Sequence, residues 1–307
     1  MSGRTVVIAG ASGFLGTHLS AELVRRGHAV VALTRRPTSA PDESSWDPYA
    51  GVVDRELIES ADVVVNLAGS PTFGNPHSGR WARNLRESRV TTTQVLARAI
   101  ADSERRPAFL AGNAVGWYGD HGDDPVTEAS ESRGESFMTT VCRDWQDAAA
   151  RAVDAGARVC FLRTAPVIDR DAAPLKQLRL ATLAGLGARV GNGRQQMPMV
   201  TLRDWTGGVA HLVEDDDVSG PVNLCAPQTP TNAEFTDALA RALSRRAFLF
   251  APGFAVRIGA GRLSPEVLGS IDLRPTVLED AGYSFRDRTV HEVVRTGLLA
   301  HRVGSGS

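Results

Sequence analysis

The run Val6-Val7-Ile8-Ala9-Gly10-Ala11-Ser12-Gly13-Phe14-Leu15-Gly16 decides how this chain is read. A short β-branched stretch passes directly into three glycines spaced Gly-x-x-Gly-x-x-Gly. Leucines at Leu15, Leu19 and Leu23 then recur at helical spacing. The reading is a buried strand, a tight turn and a helix start. Glycines let the chain turn sharply and pass close to a pyrophosphate with no Cβ in the way. The free N–H groups at the helix start, with the helix dipole behind them, favour phosphate oxygens. The context of strand before, helix after and N-terminal position is what this spacing needs to signify a nucleotide site.

Outward from this unit, strand-like and helix-like segments alternate. Ala29–Thr34 and Ala61–Leu67 read as strands, Arg80–Ala101 as a long helix, and Pro107–Ala111 as the start of another strand. Phe137–Ala155 reads as one alanine-rich helix and Arg158–Thr164 as a sixth strand. Such alternation implies right-handed crossovers and an α/β, doubly wound parallel sheet covered on both faces, with ligands at the carboxyl ends of the strands. Beyond Pro166 the pattern loosens. Helices are expected at Leu175–Gly185, Asp204–Asp215 and Asn232–Leu243, the last opened by a capping box of Thr231 and Glu234. The expected division is a nucleotide-binding domain over 1–165, a smaller mixed α/β lobe covering the substrate over 166–301, and a flexible tail over 302–307.

The 307 residues are 42% hydrophobic, enough for a sizeable core, and the net charge of −1 gives no electrostatic case for nucleic acid or an anionic membrane. No apolar run reaches the length of a membrane span. A strand beginning within a few residues of the start argues against a signal peptide, so a cytoplasmic protein is expected. Cys142, Cys160 and Cys225 are far apart without metal spacing, and the seven histidines form no HExxH pair, so no metal site is expected. The partner is expected to be a small molecule, and the oligomeric state, monomer or homodimer, stays open.

The second strand ends in Leu33-Thr34-Arg35-Arg36-Pro37. In a dinucleotide site this end faces the adenosine ribose, where a carboxylate would bind the 2′-hydroxyl and repel a 2′-phosphate. Arg35 and Arg36 instead suit a 2′-phosphate, so NADP(H) is expected over NAD. Asn66-Leu67-Ala68-Gly69 closes another strand, and the small residues there let the backbone pass close under a ribose or adenine. Expected cofactor-binding residues are therefore Gly10, Ser12, Gly13, Phe14, Leu15, Gly16, Arg35, Arg36, Leu67, Ala68 and Gly69.

Together with Tyr118-Gly119-Asp120, these motifs resemble the extended short-chain dehydrogenase/reductase superfamily. The chain is most similar to its atypical, epimerase-like branch with a C-terminal domain of unknown function. Trp46-Asp47-Pro48, Glu87-Ser88-Arg89, Val141 to Trp145, Gly191-Asn192-Gly193-Arg194-Gln195, Gly220-Pro221-Val222-Asn223 and the stretch from Leu273 to Phe285 carry the likeness over nearly the whole chain. The resemblance implies a Rossmann-type fold and NADP binding, and Arg89 joins the expected cofactor set.

The superfamily's usual proton machinery is a Ser with a Tyr-x-x-x-Lys pair, in which the ammonium favours the phenolate. Here the Tyr position falls on Phe137, the Lys position on Val141 and the Ser position on Asn113. The one lysine, Lys176, is remote. The branch's Trp and His after the Gly-Arg-Gln motif are Met199 and Thr201. Asn113, as a donor to a carbonyl oxygen, and Tyr118, the tyrosine nearest the expected nicotinamide, are the remaining catalytic candidates. Asp120, Asp123, Asp124 and Glu128 share the next loop, and a buried member could act as acid or base. Two function classes follow. One is an NADP-dependent reductase or epimerase-like enzyme on a small carbonyl or hydroxyl substrate. The other is a redox-silent protein using the pocket for cyclisation, dehydration or nucleotide sensing.

Overall fold

A computed structural model describes residues 3–72 and 74–299. The expected tail over 302–307 lies outside them. Seven strands form one parallel sheet: β1 (Thr5–Ala9), β2 (Ala29–Thr34), β3 (Glu43–Ser45), β4 (Val63–Asn66), β5 (Ala108–Ala114), β6 (Val159–Thr164) and β7 (Gly220–Leu224), in the spatial order β7-β6-β5-β4-β1-β2-β3. This is a Rossmann-like sheet. The chain reverses its direction of travel across the sheet between β1 and β4, so the crevice opens above the carboxyl ends of those two strands.

Alternation along the strands builds the two sides. Val6 and Ile8 of β1 and Val63 and Val65 of β4 point to one face. There they meet Leu19 and Leu23 of α1 (Phe14–Arg25) and a helix further along the chain that carries Trp205 and Val209. Val7, Ala9 and Val64 point to the other, against Ile58 of α2 (Arg55–Ser60) and Leu96 and Ile100 of α3 (Gly79–Asp102). A two-residue period buried on both faces is why these strands read as continuous apolar runs.

The expected single helix over Phe137–Ala155 is two: α4 (Phe137–Asp147) and α5 (Ala150–Asp154). At the junction the Ala149 N–H bonds the Gln146 carbonyl three residues back, tightening the turn. That re-aims the chain so that Ala149 and Ala152 are both buried on the sheet. Next come α6 (Ala173–Leu183), α7 (Leu202–Glu214) and α8 (Asn232–Ala242), the last with its Thr231–Glu234 capping box formed. The sheet takes its last strand, β7, and the helix α7 from beyond residue 166, so it does not stop at the expected boundary of 165. Among the described residues, two-stranded parallel ribbons, such as Leu249–Ala251 with Ala188–Val190 and Asp272–Leu273 with Pro125–Val126, organise the remainder. No helix among the described residues is long and apolar enough to cross a membrane.

Candidate functional site

The turn after β1 has no room for side chains. Gly10 has φ +85°, and a Cβ there would lie 2.7 Å from the Leu67 carbonyl carbon. A Cβ on Gly16 would lie 2.2 Å from the Gly10 oxygen, so α1 packs directly on the turn. The Gly13 N–H closes the turn on the Gly10 carbonyl at 3.0 Å. Gly13 is also the N-cap of α1. It contributes no capping side chain, and the first helical turn carries no acid. The leading N–H groups of Phe14, Leu15 and Gly16 therefore keep their capacity for an anion, with Ser12 and Gly13 exposed beside them.

Next to this turn, Asn66 at the end of β4 is fully buried. Its amide donates to Thr93 Oγ1 at 2.9 Å, and its carbonyl oxygen accepts the Ala68 N–H at 3.1 Å. That clamp shapes Leu67-Ala68-Gly69 against Gly10. Arg89 on α3 is buried behind the same loop. Its guanidinium donates to the Ser70 and Leu85 carbonyls and to Thr72 Oγ1, and stacks 5.1 Å from the Trp145 ring. Burial without a carboxylate partner lowers its pKa. Arg89 thus holds the loop, and its Nε has no protein partner.

At the end of β2 both arginines are exposed. Arg36 pairs with Glu43 at 2.9 Å, and Thr38 and Arg36 hold that carboxyl below its ordinary value. Sequence spacing gave no sign of this carboxylate, which arrives from β3. Arg35 makes no hydrogen bond to any described residue and remains available to an anion.

Deeper along the sheet, Asn113, Arg163 and Asn223 are register partners on β5, β6 and β7. Asn113 donates to the Cys142 carbonyl at 3.1 Å and accepts from the Ala114 N–H at 2.7 Å. Tyr118 has no exposed surface, and its hydroxyl donates to Asn223 Oδ1 at 2.7 Å. Burial pushes this phenol up to about 12. The roles expected of Asn113 as an oxygen holder and Tyr118 as a proton donor meet a structural objection. The polar groups of both are already engaged inside the protein. Arg163 lies 3.5 Å over the Trp117 ring and 4.7 Å from the Tyr118 ring, and its guanidinium donates to Gln146 Oε1 at 3.0 Å. Of the four loop carboxylates only Glu128 is buried. One oxygen accepts the Asn223 and Val277 N–H groups, the other has no partner, and burial raises its pKa.

Phe137 and Val141 occupy α4 as expected and carry no titratable group. They stand beside an apolar cluster of Leu85, Met138 and Cys142 with Trp81, Trp117, Phe137 and Leu263. Cys142 is fully buried and its thiol is pushed up to about 12, a packing residue and no nucleophile. At the rim, Ser136 caps α4 and donates to Glu266 Oε1 at 2.8 Å. Met199 is core and Thr201 caps α7, which accounts structurally for both departures after the Gly-Arg-Gln stretch. No role at the site was read from the sequence for Arg163, Ser136, Asn223 or Glu266. An arginine directly after the apolar run Val159 to Leu162 was the one local signal among them. No group of His, Cys, Asp and Glu suited to a metal occurs among the described residues.

Comparison with known proteins agrees with this architecture. The model of the NAD dependent epimerase/dehydratase family matches residues 6–225, ending with β7, and a domain of unknown function, DUF1731, matches residues 251–296. An epimerase family protein of Mycobacterium leprae is 38% identical over 94% of both chains. The human epimerase family protein SDR39U1 is 33% identical over 84% of this chain and 86% of its own. A crystal structure of human SDR39U1 with NADPH superposes with a TM-score of 0.84 at 28% identity, covering 95% of this chain and 98% of that one.

Proposed function

This chain belongs to the NAD dependent epimerase/dehydratase family, and from that premise we propose that it binds NADP(H) and reduces or oxidises a small carbonyl or hydroxyl substrate. The observation that carries the cofactor assignment is the pairing of two features. The uncapped start of α1 offers N–H groups to a pyrophosphate, and the unpartnered Arg35 at the end of β2 offers a guanidinium to a 2′-phosphate. The human relative crystallised with NADPH supports it.

The residues present fit the group. Gly10, Ser12, Gly13, Phe14, Leu15 and Gly16 would hold the pyrophosphate. Arg35, assisted by Arg36, would hold the adenosine phosphate, and Leu67, Ala68 and Gly69 would pass beneath the ribose. Arg89 keeps that loop in place from behind. When bound, a reduced nicotinamide supplies a hydride. The residues of 166–299 outside the sheet would cover the substrate, and the Trp81–Phe137–Leu263 cluster would exclude water from it.

A second reading, a redox-silent nucleotide protein, is favoured by the lack of a phenol–ammonium pair at Phe137 and Val141. The test is loss of NADPH absorbance across a panel of aliphatic and aromatic carbonyl compounds. Turnover of any member supports the enzyme reading. NADPH binding with no oxidation across the panel supports the second.

A further inference from the structure

We infer that the Glu266 carboxyl, positioned by Ser136, is the proton donor to the substrate oxygen, and that the substrate carbonyl carries an apolar flank of aromatic size. This rests on the oxidoreductase reading above and names its missing acid and its substrate class.

Ser136 immediately precedes Phe137, the position at which related enzymes are expected to place their tyrosine. The residue next to Phe137 in sequence thus carries a hydroxyl that holds a carboxyl. Ser136 Oγ accepts the Thr139 N–H at 3.2 Å and donates to Glu266 Oε1 at 2.8 Å, so its orientation is fixed from the helix side. Glu266 Oε2 has no hydrogen-bond partner among the described residues, and it is not sealed among the buried unpaired atoms. One carboxyl oxygen is therefore held and the other is free for a ligand. By contrast, the Asn113 amide and the Tyr118 hydroxyl are both taken up by the fold.

The carrier of Glu266 is anchored. It sits on the short helix Ser264–Leu268, whose preceding Leu263 packs into the Trp81–Phe137 cluster. The segment after it is tied down by the Ser270 N–H donating to Asp120 Oδ1 at 3.1 Å. Glu266 is exposed, yet protein atoms crowd its carboxyl and raise its pKa, the direction that favours the protonated form. No arginine or lysine among the described residues pairs with it. Trp81 and Phe137 lie 5.5 Å apart, centroid to centroid, with Leu263 beside them. That wall offers mainly dispersion and hydrophobic contact, with the Trp81 indole N–H as its polar atom, which favours an apolar flank on that side.

In the step, Glu266 gives its Oε2 proton to the carbonyl oxygen as hydride from the nicotinamide reaches the carbonyl carbon. The C=O π pair becomes the electron pair of the new O–H bond. The carbonyl compound is reduced to the alcohol, the nicotinamide is oxidised, and the carboxylate left on Glu266 takes a proton from solvent. Ser136 is a positioning residue.

The experiment uses the full chain with NADPH and benzil, an aromatic diketone. E266Q should lower kcat by about 100-fold or more while calorimetric NADPH affinity stays that of the parent. Ser136→Ala should lower kcat less, and Ser136→Thr, which keeps the hydroxyl, should restore it. Independently of turnover, the infrared absorption of protonated carboxyl near neutral pH should be larger in the parent than in E266Q or E266A, by the same amount in both. E266Q turning over benzil like the parent overturns the inference and leaves the oxidoreductase reading standing. A parent that binds NADPH but reduces no carbonyl overturns both, and one that does not bind NADPH removes the cofactor assignment as well.

Discussion

The Tyr118 hydroxyl donates to Asn223 Oδ1 at 2.7 Å from a ring with no exposed surface, and Asn223 in turn donates from Nδ2 to the Arg274 carbonyl at 2.9 Å. The phenol joins the sheet to the segment after Asp272–Leu273. Tyr118→Phe removes one donor and leaves a buried acceptor unpaired. It should cost about 1–3 kcal/mol of stability, read as a lower denaturation midpoint, with kcat changed by less than about threefold. A hundredfold loss of kcat at unchanged stability would instead make Tyr118 a proton donor.

Glu128 gives a pH dependence of known sign. Its carboxyl ionises near 4.5 when exposed and higher in the fold, because burial penalises the charge. Below both values it is neutral in both states. As pH rises through the lower value, the unfolded state loses its proton first, so Glu128 subtracts stability until the folded value is passed. Glu128→Gln keeps an oxygen for the Asn223 and Val277 N–H groups. The melting temperature of the variant relative to the parent should therefore rise as pH climbs through the exposed value of 4.5 and level off once the folded value is passed. A flat difference would show that the carboxyl ionises normally.

The glycines of the first turn separate folding from binding. Gly10→Ala forces a Cβ into Leu67 at positive φ, and should destabilise by about 2 kcal/mol or more. Gly13 has an ordinary extended φ of −77°, and its added Cβ would meet the Gly10 oxygen at 3.2 Å. Gly13→Ala should fold with a melting temperature close to the parent's and lose NADPH affinity about tenfold or more, read by calorimetry. Equal NADPH affinity in Gly13→Ala would move the pyrophosphate away from this turn.

What could be read from the sequence follows from range. Val6 to Gly16 declares its strand, turn and helix through neighbouring residues, and β2 lies where its apolar run ends. The break at Ala149 was hidden because alanine favours helix on both sides of it. The Arg36–Glu43 pair joins strands whose register is set by the sheet. The Ser136–Glu266 contact joins residues 130 positions apart, and nothing near either one announces it. The engagement of Asn113 and Tyr118 is equally non-local, since it depends on the Cys142 carbonyl and on Asn223 of β7.

The account turns on the cofactor. Its most direct test is calorimetric titration of the parent and of Arg35→Asp with NADPH and with NADH. The parent should prefer NADPH by about tenfold or more, and Arg35→Asp should abolish that preference chiefly by weakening NADPH. Equal affinity of the parent for the two cofactors, or a preference that survives Arg35→Asp, would contradict it.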